Sequence, residues 1–314
     1  MSNFWGSHQD PDGLDIFYYF YNNFRSWHLR KGFDPIGGIL PMLKKIAFIG
    51  AGALAESLIR GFLNQNLITA DRVWVTNHSN IDRLNNLERN YHVHTTRDKQ
   101  LVLKGAEVVI LAFKPGDTTD ALESLKNLLT TDQLIISLMV GVPSSFIVST
   151  VGLNLPIVRV MPNTSASIGL SATGIAPGQF ATSRQIDVAR KLFEAVGTVT
   201  EVEEPAIDVI AGLAGSGPAY LYYLAEAMQE AGVREGIPRE DAARLVIQTL
   251  MGAVNLLNRS DKTAGELLRE VATPGGTTEA GINALNRHQT KEAVIDCVRK
   301  AVHRAGELSV QFSR

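Results

Sequence analysis

The chain has one cysteine in 314 residues, Cys297, so it can close no disulfide on itself and cannot assemble a thiolate metal cluster. Its neighbours Ala293, Val294, Ile295 and Val298 read as a buried helix face, where a thiol packs as a small apolar group. An excess of charge of one sign is also lacking. The 30 basic and 32 acidic residues are interspersed, for a net charge of −2, which offers no electrostatic footprint to nucleic acid or to an anionic membrane surface. No stretch approaches the roughly 20 uninterrupted apolar residues of a membrane span. Metal, nucleic acid and membrane are therefore not expected partners, and the expected setting is cytoplasmic. What the chain does have is 45% hydrophobic content, enough at this length for a large core and about two domains.

Aromatic residues are only 7% of the chain, yet Trp5, Phe17, Tyr18, Tyr19, Phe20, Tyr21, Phe24 and Trp27 crowd the segment 1–42. That segment also carries Asp10, Asp12, Asp15, Arg25 and Arg30, and it has no clean apolar core and no small-residue cleavage site. It does not read as a signal peptide. A docked extension, a loose tail and translated sequence upstream of a start at Met42 are the open readings; the last is favoured because the first core strand follows so soon.

From Lys45 the chain runs through Ile46-Ala47-Phe48-Ile49 into Gly50-Ala51-Gly52 and then Ala53, Leu54 and Ala55. This is a buried strand, a glycine turn and the start of a helix. Gly50 permits a tight turn, Gly52 puts no side chain between backbone and a pyrophosphate, and Ala55 fills the third small position. Amides at the helix start then face the phosphates. Gly50, Ala51, Gly52, Ala53 and Leu54 are accordingly candidate dinucleotide-binding residues, although such turns also join strands to helices that bind nothing. The run Val73-Trp74-Val75-Thr76 arrives at the spacing of a β-α-β unit. Strands are predicted at 107–112, 134–138 and 157–161, with helices at 117–129 and 143–151. A short strand near 170–175, a helix at 182–196 and a strand at 198–202 follow. The alternation predicts a Rossmann-like, doubly wound parallel sheet over residues 43–203.

Beyond Glu203-Glu204-Pro205 the pattern over 204–314 is all-α. Pro218, Pro238 and the capping box Thr263-Ala264-Gly265-Glu266 mark helix starts. Ala242, Leu245, Val246, Thr249, Leu250, Ala253, Val254 and Leu257 form one apolar stripe, while Ala243, Ile247 and Met251 form a second. One stripe is enough for a monomer's core. The surplus predicts a homodimer at least, with a higher oligomer left open, against the competing explanation of a single dense core.

An Asp or Glu at the end of the second strand would bond the 2′-hydroxyl of NAD and repel the 2′-phosphate of NADP. This chain has Asn77, His78 and Ser79 there, which suit a phosphate or, read blandly, make a solvated polar loop. NADPH is thus the expected preference, with NADH admitted. Ala112, Phe113 and Lys114, ahead of Pro115, end a predicted strand at the edge where such sheets bind ligands. Asn163 follows Met161-Pro162 and either bonds the nicotinamide side or forms a turn. Thr273-Pro274-Gly275-Gly276-Thr277-Thr278 is a loop able to approach a ligand and present amides and hydroxyls to a carboxylate, or else an ordinary capped helix turn.

In order and spacing, Gly50-Ala51-Gly52, Phe113-Lys114-Pro115, Met161-Pro162-Asn163-Thr164, Gly212-Leu213-Ala214-Gly215-Ser216-Gly217-Pro218-Ala219-Tyr220 and the loop at 273–278 resemble the motifs of the pyrroline-5-carboxylate reductases. The likeness runs from about Lys45 to about Leu308. It implies reduction of the small molecule 1-pyrroline-5-carboxylate to L-proline by NAD(P)H, and a helical domain that interlocks two subunits. It also implies substrate contacts from Thr273, Gly276, Thr277 and Thr278, and cofactor contacts from Asn77, His78, Ser79 and Lys114. Thr278 is the expected catalytic residue, its hydroxyl bonded to the ring nitrogen. The family commonly has Ser at the position of Thr273 and often an amide at that of Glu270. Two other classes compete. A β-hydroxyacid dehydrogenase normally needs a Lys on an early helix of the second domain, and 215–228 contains none; a non-catalytic dinucleotide-binding regulator would keep the fold without turnover.

Overall fold

Runs of four or five apolar residues without alternation become strands covered on both faces. In the computed structural model, which describes residues 43–312, the first domain comprises β1 (Ile46–Ile49), α1 (Ala53–Asn64), β2 (Val73–Thr76), α2 (Ile81–Tyr91), β3 (His94–Thr95), α3 (Lys99–Leu103), β4 (Val108–Leu111), α4 (Thr118–Leu125), β5 (Leu134–Ser137), α5 (Ser144–Val151), β6 (Ile157–Met161), β7 (Ser171–Pro177), α6 (Ser183–Glu194) and β8 (Gly197–Glu201). The readings of residues 1–42 lie outside the described residues. β1, β4, β5 and β6 are buried along their whole length, as a helix-covered parallel sheet requires. Successive residues of β1 serve opposite cores. Ile46 and Phe48 join Phe62 and Phe193 on one face, while Ala47 and Ile49 join Leu122 and Ile147 on the other.

The eight strands run in the order β3-β2-β1-β4-β5-β6-β7-β8. All neighbours are parallel except β6 and β7, so the parallel sheet expected carries one antiparallel pair. Only a 3₁₀ turn at Thr164–Ile168 joins those two strands, and so short a link reverses the chain because a parallel return needs a crossover.

The second domain comprises α7 (Ile207–Ile210), a π turn at Ala211–Gly215, α8 (Gly217–Arg234), α9 (Arg239–Arg259), α10 (Ala264–Val271), α11 (Thr277–Arg287) and α12 (Thr290–Val310). The capping box at α10 is present: the Thr263 hydroxyl accepts the Glu266 N–H, and the Glu266 carboxylate accepts the Thr263 N–H at 2.7 Å. α8, α10 and α11 bury no residue at all within one chain. Tyr222 and Tyr223 are 67% and 73% exposed, and Leu245, Ile247, Val254 and Leu256 also face outward. Cys297 on α12 is exposed as well. This corrects the packed thiol expected from its neighbours: the apolar face is there, but nothing in the same chain covers it.

The junction after β8 is pinned rather than loose. Arg159 of β6, only 3% exposed, pairs with Glu204 at 3.5 Å and with Asp208 of α7 at 3.4 Å. Glu204 also accepts the N–H and hydroxyl of Ser144, and Ser309 of α12 donates to Asp208. These contacts fasten the root of the helical domain to the sheet.

Candidate active site

Ile49 of β1 is in register with Thr76 of β2 and with Leu111 of β4, so Gly50, Asn77 and Ala112 leave the sheet together at its carboxyl edge. Gly50 has φ +115°, and a Cβ there would lie 2.4 Å from the Ala112 carbonyl oxygen. Glycine is required by this close strand crossing as much as by the turn. The Gly50 N–H donates to the Thr76 carbonyl and the Ala112 N–H to that of Ile49, each at 2.9 Å. Gly52 is the N-cap of α1, and nothing lies within 4 Å of where its Cβ would be. Ala55 is fully buried under the sheet. The N–H groups of Ala53 and Leu54, on the first turn of α1, lack helical partners by construction. An open backbone at Gly52 ahead of these donors fits a dinucleotide's pyrophosphate.

Asn77, His78 and Ser79 lie just beyond β2, and Asn80 then caps α2 by accepting the Arg83 N–H. The structure adds a brace that the sequence did not disclose. Arg83 Nε donates to the Ala51 carbonyl at 2.8 Å, its guanidinium pairs with Glu56 of α1, and Tyr91 donates to Glu56 at 3.0 Å. Burial first, and then the hydrogen bond to the Glu56 carboxylate, push the Tyr91 phenol above its usual pKa. Arg97, beyond β3, donates to the His78 carbonyl at 3.1 Å. Phe113 packs into the core beneath the edge, while Lys114 is exposed.

Asn163 reaches the same edge from β6, but its amide serves the protein. Oδ1 accepts the Ser165 N–H and Nδ2 donates to the Ala214 carbonyl in the π turn, both at 3.0 Å. These are the bonds of the turn-forming alternative, with a tie to the second domain added; a carboxamide carries two N–H donors, and the bond to Ala214 uses one. The π turn itself is tightly set. A Cβ on Gly212 would lie 2.6 Å from the Val302 side chain, and Tyr220 donates to the Gly212 carbonyl at 2.9 Å.

The loop at 273–278 opens α11. Gly275 has φ +74°, and a Cβ on Gly276 would lie 2.7 Å from the Thr273 hydroxyl. The Gly276 N–H donates to the Thr273 carbonyl at 3.0 Å, and the Gly275 N–H to the Glu279 carboxylate at 2.7 Å. In this chain the Gly276 N–H is therefore already engaged within the loop. The N–H groups of Thr277 and Thr278 and the hydroxyls of Thr273, Thr277 and Thr278 are left to meet a ligand. Glu270 pairs with Lys262. α11 packs on α12, and among the described residues no hydrogen bond joins this loop to the sheet domain. One chain thus groups the glycine turn with Asn77, His78, Ser79 and Lys114 at the sheet's edge, while Thr273 to Thr278 stand on the helical domain. Also among the described residues, no group of three or more His, Cys, Asp or Glu is placed to hold a metal ion, and no helix is long and apolar enough to cross a membrane.

Comparison with known proteins bears on both halves. Residues 204–308 match the family described as pyrroline-5-carboxylate reductase dimerisation, and 45–141 match NADP oxidoreductase, coenzyme F420-dependent. Pyrroline-5-carboxylate reductase 2 of Bacillus subtilis is 40% identical over 271 residues, covering 86% of this chain and 97% of the relative. The chain belongs to the pyrroline-5-carboxylate reductase family. A solved Plasmodium falciparum pyrroline carboxylate reductase with NADP bound superposes with a TM-score of 0.80 at 26% identity, covering 87% of this chain and all of that one. A Coxiella burnetii pyrroline-5-carboxylate reductase gives 0.75 at 38% identity over 85% and 99% of the two chains. The family's dinucleotide fold and dimerisation domain correspond to the sheet and helical domains described above.

Proposed function

We propose that the chain reduces 1-pyrroline-5-carboxylate to L-proline, preferring NADPH and admitting NADH, and that it works as a homodimer at least. The observation that carries this reading is the pairing of two sites in one chain: an open glycine turn on a sheet's carboxyl edge, and a Thr-Pro-Gly-Gly-Thr-Thr helix start whose Thr277 and Thr278 N–H groups have no partner within the helix. When bound, the reduced nicotinamide supplies a hydride to the ring carbon of the C=N bond. The ring nitrogen gains a proton, so the imine becomes a secondary amine.

The chain's own residues position and hold the reactants. The Thr277 and Thr278 amides, with the hydroxyls of Thr273 and Thr277, clamp the carboxylate at the positive end of α11. The Thr278 hydroxyl hydrogen-bonds the ring nitrogen as charge moves there, and solvent is the proposed proton source. In a single chain most of this loop is exposed, whereas hydride transfer needs the reactants held together away from water. The reading therefore has a second copy cover α8 and α9 and close the site, each subunit's glycine turn facing its partner's loop.

Loss of NADPH absorbance on adding pyrroline-5-carboxylate, with proline as product, tests the activity. A purified dimer that consumes neither NADPH nor NADH with this substrate would overturn it.

A further inference from the structure

We propose that Arg97 selects NADPH over NADH by pairing with the 2′-phosphate. This rests on the reading above that residues 77–79 meet the adenosine ribose. β3 lies beyond β2 at the edge of the sheet, with Thr95 in register with Val75. The Thr96 N–H carries the ladder on to the Val75 carbonyl at 3.1 Å. The chain therefore leaves both strands side by side, and Arg97 comes to rest against the 77–79 loop, one guanidinium N–H donating to the His78 carbonyl at 3.1 Å.

A guanidinium has five donors in a planar fork, and one carbonyl uses few of them. The remainder suit a phosphate, which accepts two parallel bonds. Arg97 is exposed and forms no ion pair among the described residues. The adjacent carboxylate does not claim it: Asp98 Oδ1 accepts the N–H groups of Gln100 and Leu101, at 2.9 and 3.2 Å, where α3 begins. Arg83, the other arginine nearby, is neutralised by Glu56 and bonded to the carbonyls of Ala51 and Gly52. It braces the pyrophosphate turn. The two arginines thus divide the work along the dinucleotide, with Arg97 on the side away from β1, where only the 2′-phosphate distinguishes the cofactors.

Calorimetric titration of the intact oligomer with NADP⁺, NAD⁺ and 2′,5′-ADP, without substrate, tests this on the parent, Arg97→Ala and Arg97→Lys. For Arg97→Ala, the Kd for NADP⁺ and for 2′,5′-ADP should rise roughly ten- to a hundredfold, while that for NAD⁺ stays within about twofold. Arg97→Lys should recover part of the loss, and added salt should narrow the gap between parent and alanine variant. Equal weakening of NADP⁺ and NAD⁺ would make Arg97 a brace of the loop and overturn the proposal, as would no weakening of either. Because no substrate is present, a parent unable to reduce pyrroline-5-carboxylate would break the proposed function while leaving this result readable.

Discussion

In the sheet domain Phe48, Phe62 and Phe193 are wholly buried within one chain, Phe62 and Phe193 meeting edge to face at 6.0 Å. On α8 and α9 the comparable large side chains, Tyr222, Tyr223, Leu245 and Ile247, stand in the open. The first domain satisfies its own hydrophobic pattern, and the second presents a pattern that another surface must satisfy. The candidate site divides along the same line. Its glycine turn rests on the self-sufficient domain, and its threonine loop rests on α11, which buries nothing. On the reading proposed above, a domain that turns to a partner for its core turns to the same partner for its site.

The contrast is broken most completely by charging the open face. Tyr223→Asp combined with Leu245→Asp should yield a monomer by sedimentation, with activity down by roughly a hundredfold or more, since interface centres dominate association. NADP⁺ binding to the sheet domain should survive. Phe62→Ala probes the other side and should cost about 3–5 kcal/mol in urea unfolding through the cavity it leaves, with the oligomer unchanged at native conditions.

Thr278→Ala should fold and bind NADPH as the parent does, yet lower kcat/KM by roughly ten- to a hundredfold, the scale of a hydrogen bond to a charged group. Thr278→Ser should restore most of that. If only the KM for NADPH moved, Thr278 would be a helix cap and no more.

The smallest effect is expected at α10. Thr263→Ala should cost about 1 kcal/mol. In the parent the Thr263 backbone N–H, and after it the hydroxyl, hold the Glu266 carboxyl below the usual carboxylate range. A depressed folded pKa contributes stability that is present above the unfolded value of about 4.3 and is lost as pH falls through the folded one. Acid titration of Glu266 by NMR should show the shift in the parent and a smaller one in Thr263→Ala, which loses the hydroxyl but keeps the backbone N–H.

The central strands were legible because runs such as Val108-Val109-Ile110-Leu111 admit little besides a strand covered on both faces. The glycine turn was legible because its residue types are dictated by backbone approach. The antiparallel turn of β7 was missed because strand direction depends on the link between strands, not on the strand's own residues. β3 was missed because two residues, His94 and Thr95, carry no period; with β3 went the placement of Arg97. The roles of Asn163 and Arg83 depend on partners 51 and 32 residues away along the chain, and no local pattern announces such contacts. The surplus apolar face was visible in α9, but Cys297 on α12 was assigned to an interior that one chain does not possess.

The claim that each site is completed by a second copy is tested most directly by mixing two inactive subunits. Gly52→Asp fits the open space at the turn and sets a carboxylate against the pyrophosphate. Thr277→Glu suits a helix start and sets one against the substrate's own carboxylate. Each homodimer should be inactive. Co-expressed chains that pair at random should regain about a quarter of the parent's activity, because half the dimers then hold one site free of both substitutions. No recovery in dimers shown to contain both chains would place the turn and loop of each site in the same subunit and contradict the account.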